Sequence, residues 1–80
     1  MITRRVHLTF PQTLVQEPVI HNMAKMFDVV TNIRRANVED RFGWVILELQ
    51  GTADALEQAL AYARGLGVEI NPIDGDLVEG

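Results

Sequence analysis

Apolar and polar residues alternate from Arg4 to Phe10, with Val6, Leu8 and Phe10 on one side and Arg5, His7 and Thr9 on the other. That period of two predicts a half-buried strand, which Pro11 ends. Pro18 suits the first turn of a helix, where its missing N–H is no loss, and Ile20, Met23, Ala24 and Phe27 follow at the spacing of one helical face. The first helix is expected over 17–27. Residues 29–38 are rich in β-branched side chains and predict a second strand. A polar connection through Glu39 to Gly43 then forms a hairpin with a third strand over 44–50. In that third run Val45, Leu47 and Leu49 alternate with Trp44, Ile46 and Glu48, so even its outward face is partly apolar. This pattern is expected of a central strand or of one whose outer face meets a partner.

Thr52 is the expected N-cap of a second helix over 53–64, with Asp54 in the first turn to favour the positive end of the helix dipole. Leu56, Ala59, Leu60 and Ala63 form its buried stripe, and Gly65 or Gly67 offers the left-handed exit. Val68 and Ile70 alternate with Glu69 and Asn71 up to Pro72, a short fourth strand. Residues 74–80 show no period and are expected to be a disordered acidic tail. The order β-α-β-β-α-β predicts a single α+β domain over 1–73, in which two helices cover one face of a four-stranded antiparallel sheet ordered 4-1-3-2. Its other face is left bare. That face is expected to carry Arg5, His7, Thr9, Trp44, Ile46, Glu48 and Glu69, with either Asn32 and Arg34 or Ile33 and Arg35 from the second strand. Large apolar residues among charges on an open sheet mark a contact surface.

Eighty residues, 48% of them apolar, give room for one small core, and the thin stability of such a chain favours self-association. Without cysteine there is no disulfide framework, thiolate zinc site, cysteine-held iron–sulfur cluster or cysteine nucleophile. The chain starts with no signal-peptide core and has no run long enough to span a bilayer, so a cytoplasmic location without membrane contact is expected. Seven Lys and Arg face eleven Asp and Glu, but Asp74, Asp76 and Glu79 account for three of the acids. The folded body is nearly neutral and lacks the positive field on which nonspecific nucleic-acid binding rests.

The segments Val29-Val30-Thr31-Asn32-Ile33-Arg34-Arg35-Ala36-Asn37-Val38 and Gly43-Trp44-Val45-Ile46-Leu47-Glu48-Leu49-Gln50-Gly51 resemble the NIL domain, as do the helix entry at Glu17-Pro18 and the close at Gly67 to Glu69. The family is named for an Asn-Ile-Leu tripeptide; Asn32 and Ile33 match it, and Arg34 stands in place of the leucine. The likeness covers about residues 4–73. It implies a ferredoxin-like fold in the style of ACT-type small-molecule sensors. NIL domains occur at the C-terminus of ATPase subunits of bacterial methionine importers, where they bind methionine and restrain transport, and beside iron–sulfur ferredoxin domains. The chain resembles a NIL domain standing alone. It lacks a G-x-x-x-x-G-K-[ST] loop and any cysteine, so neither ATPase nor cluster chemistry carries over.

Other chemistries fit the residues less well. His7 and His21 fall on different elements, and Lys25 sits one turn from His21, which disfavours a metal site. Arg4-Arg5 and Arg34-Arg35 suit an anion clamp, but cross-strand pairing with Glu48 or Glu69 is the simpler expectation. Acylphosphatases share the element order, yet the loop Phe10-Pro11-Gln12-Thr13-Leu14 has no glycine to let backbone N–H groups approach a phosphate, and the chain has no serine nucleophile. RRM-type modules stack bases on this sheet face, and one tryptophan beside a glutamate is a poor platform. The resulting expectation is a noncatalytic sensor without a cofactor, a homodimer that binds a small amino acid such as methionine. Asn32, Ile33, Arg34, Trp44 and Ile46 are its expected contacts, with Ile33 and Ile46 lining an apolar slot. The alternative is a protein-interaction module without a small ligand, docking a partner protein through the bare face or an edge strand.

Overall fold

Alternation and capping chemistry produce β1 (Ile2–Pro11), α1 (Val19–Met26), β2 (Val29–Val38), β3 (Phe42–Gly51), α2 (Ala53–Leu66) and β4 (Glu69–Pro72), with a 3-10 turn at Gln12–Leu14 after β1. The computed structural model describes residues 1–39 and 41–73, so the expected tail at 74–80 lies outside the described residues. The strands form an antiparallel sheet in the order β2-β3-β1-β4, the predicted order read from its other edge.

Both faces of the central β1–β3 pair follow from its register. Val6 pairs with Leu47, Leu8 with Val45 and Arg4 with Leu49, which places the apolar alternates of β1 and β3 on one face. There they form the core with Val19 and Met23 of α1, Leu56, Ala59, Leu60 and Ala63 of α2, and Val29 and Val68. Phe27 and Tyr62 join the two helices in a tilted ring contact with centroids 5.7 Å apart. Burial of these side chains supplies the main favourable contribution to folding.

α2 is stopped and started as its sequence predicts. The Thr52 side chain accepts a hydrogen bond from the Ala55 N–H at 3.1 Å, and Gly67 takes a left-handed φ of 110°, from which its N–H reaches back to the last carbonyls. Gly65 lies inside the helix instead of ending it. α1 is shorter than expected, because Pro18 sits at the N-cap and Glu17 is outside. Gly51 is fixed by a close approach, since a Cβ there would lie 2.9 Å from the Asp28 carbonyl oxygen. The β2–β3 connection is tighter than expected: the Glu39 N–H donates to the Phe42 carbonyl at 2.8 Å, and Phe42 and Gly43 belong to β3.

Candidate functional site

Cross-strand register builds the helix-free face as rows. Val30, Gln50 and Thr3 form one; Asn32, Glu48 and Arg5 the next; then Arg35, Ile46, His7 and Asn71; then Asn37, Trp44, Thr9 and Glu69. None of these residues is buried, which leaves the face open to solvent, as alternation predicts. Trp44 and Ile46 are half-buried at its centre, and the Trp44 ring stacks on His7 at 5.4 Å with 20° between planes. His7 is therefore engaged with an aromatic ring rather than freely solvated, and His21 is exposed on α1.

Arg5 Nη2 donates to Glu48 Oε2 at 2.8 Å across the β1–β3 ladder, the pairing expected from the sequence. This hydrogen bond, with the nearby charges of Arg5 and Arg34, lowers the Glu48 carboxyl below its ordinary value, while burial opposes the shift. Arg4 faces the other way and pairs with Glu57 of α2 at 2.9 Å, so the two adjacent arginines do not form one anion clamp. Among the described residues no three His, Asp or Glu side chains are grouped to hold a metal ion.

β2 departs from simple alternation. Ile33 pairs with Leu47, and Arg35 with Ile46, so Arg34 is an extra residue in a β-bulge. The bulge divides the two alternatives for this strand: Asn32 and Arg35 occupy the open face, and Ile33 falls on the helix side. Ile33 and Ile46 thus lie on opposite faces and do not line a common slot, which corrects the expected arrangement. Asn32, Trp44 and Ile46 share the open face, and Arg34 stands close enough to affect Glu48 there.

Sequence patterning did not reveal a groove of about 170 Å³ on the helix side. Phe10, Val15, Val19, Ile20, Val38 and Val45 give it apolar walls, with Glu17 and His21 also in its lining and Trp44 at its edge from β3. The 3-10 turn brings Val15 there, and Gln12–Leu14 carries no periodic signal that would have announced the turn. The isolated apolar Leu14 and Val15 within a polar loop were the available hint.

A family model described as the NIL domain matches residues 4–72. The methionine import ATP-binding protein MetN of Myxococcus xanthus is 37% identical over 71 residues, which cover 84% of this chain and 22% of that protein. Its counterpart in Lactococcus lactis subsp. cremoris is 36% identical over 61 residues, 71% of this chain and 17% of that one. The chain therefore spans about a fifth of the length of these curated relatives. In structure it is similar to the C-terminal domain of an ABC transporter/ATP-binding protein from Enterococcus faecalis, with a TM-score of 0.77 at 22% identity, covering 91% of this chain and 86% of that one. This likeness shows the fold. No helix among the described residues is long and apolar enough to cross a membrane.

Proposed function

The chain belongs to the NIL domain family, and from that membership we propose that it is a noncatalytic regulatory domain of the cytoplasm, a homodimer that binds a small amino acid, methionine. The observation that carries the reading is the 37% identity with a methionine import ATP-binding protein over nearly the whole described chain. The open sheet face supports it with a suitable set of side chains. Asn32 offers a donor and an acceptor to an amino-acid backbone, and Arg34 a guanidinium to its carboxylate. Trp44 and Ile46 offer an apolar seat for a thioether side chain. A second copy closing over this face would exclude water from the seat and supplement a small core. Ile33, on the helix side of β2, has no part in that seat.

Thermal unfolding with added L-methionine tests the proposal. A specific ligand at a hundredfold excess over its dissociation constant stabilises the fold by about 2.7 kcal/mol. Asn32→Ala and Ile46→Ala, neither of which touches the helix-side groove, should lose that gain, while Ile20→Trp, which fills the groove, should keep it. The opposite pattern moves the ligand into the groove, and no gain with methionine or any other amino acid removes the sensor reading. The open β2 edge favours a second reading, a docking module that gains nothing from small ligands.

A further inference from the structure

Strands at the rim of a sheet present unpaired N–H and C=O groups, and proteins usually shorten, charge or cover them. The two rims here are treated differently. β4 has four residues and closes on Pro72, which has no amide to donate. β2 is ten residues long and ends the sheet on the other side. Val30, Ile33 and Val38 are 60%, 54% and 66% exposed along it, and every residue from Asn32 to Val38 is exposed. Its protection consists of the bulge at Arg34 and two charges.

Those charges indicate the occupant. Arg34 and Arg35 are the charged residues of β2, and no carboxylate lies between Val29 and Val38. Glu48, whose carboxyl feels the charge of Arg34, is held by Arg5, and neither Arg34 nor Arg35 has an ion-pair partner among the described residues. A second copy paired antiparallel about Arg34 and Arg35 would set these arginines against their equivalents, and like charges across a ladder are destabilising. An acidic strand meets the opposite condition.

We propose that the open edge of β2 accepts an extended acidic segment of a partner protein as a fifth strand. Main-chain hydrogen bonds supply the attachment, carboxylates opposite Arg34 and Arg35 set its register, and apolar side chains cover Val30, Ile33 and Val38. The edge shares Arg34 with the open-face ligand seat but attaches a strand through main-chain groups, so the proposal stands whether or not the domain binds an amino acid.

The test is an amide NMR titration of the full chain with two blocked octapeptides, one alternating valine with glutamate and the other valine with lysine. The glutamate peptide should shift the amides of residues 29–38, and added salt should weaken it. Changing both exposed arginines, Arg34→Glu and Arg35→Glu, should weaken its binding at least about tenfold and admit the lysine peptide instead. Equal binding of both peptides, shifts confined to the Trp44 and Ile46 face, or no shift at about 1 mM peptide overturns the proposal. Light scattering without peptide separates the remaining occupant. A two-chain mass that Ile33→Lys reduces to one assigns the edge to a second copy and also overturns it, whereas a mass unchanged by Ile33→Lys supports a free edge. Methionine-dependent melting is read separately, so either proposal can fail without the other.

Discussion

Along β3, Val45, Leu47 and Leu49 are buried beneath the helices, while Trp44, Ile46 and Glu48, each one position away, stay half-exposed on a face that no helix covers. Both sets contain large apolar side chains. Only the first set is needed to close the core, because Val45, Leu47 and Leu49 belong to one packed cluster with residues of both helices. Trp44 and Ile46 are available for contact with another molecule, and their cost to folding is correspondingly small. The difference shows why apolar character alone does not identify a core residue: the covering layer decides it.

Truncation on the two faces gives the largest expected contrast. Leu47→Ala should destabilise the domain by about 2–5 kcal/mol in a urea melt, since it removes buried methyl groups and leaves a cavity. Ile46→Ala should cost about 1 kcal/mol, the loss of partial burial. Comparable losses would mean that the open face is structurally essential. The proposed dimer sharpens the contrast, because the Ile46 cost should then rise with protein concentration.

A smaller effect concerns the His7–Trp44 stack. A double-mutant cycle with alanine at both positions should return a coupling of about 1 kcal/mol or less, read from the same melts. The smallest is the pH dependence of the Arg5–Glu48 pair. The folded state holds the Glu48 carboxyl below its ordinary value near 4.5, so the unfolded chain takes up this proton first as pH falls. Its stabilising contribution is present above that value and is lost as pH drops through the lower folded value. Glu48→Gln should flatten this acid limb of the stability profile, and an unchanged limb would assign the dependence to other carboxylates.

Much of the fold was legible because its signals are local. β2 runs over the predicted residues, Thr52 and Gly67 cap α2 through groups visible in the sequence, and the α2 stripe is buried as its spacing requires. The start of α1 was less legible, since Pro18 is compatible with both the first turn and the cap, and the N-cap position it takes removes Glu17 from the helix. Trp44 and Ile46 were legible as open-face residues because β3 alternates without interruption. Ile33 was not, because its face depends on the register with β3, and the single extra residue after it leaves no trace in the hydrophobic pattern. The groove was hidden for a related reason: its walls come from β1, α1 and the end of the hairpin, and no short stretch of chain contains them.

The surplus residue at position 34 also has a chemical effect. Successive side chains of a regular strand alternate between faces, which separates adjacent charges. Here one rung of the ladder is given two guanidinium groups, while the pairs above and below keep their sides: Ile33 stays with Leu47 and Ala36 with Val45. Doubling the charge at a single rung has thus left the rest of the hairpin in place, so the electrostatics of this rim can be tuned by one inserted or deleted amino acid without rebuilding what lies beneath it.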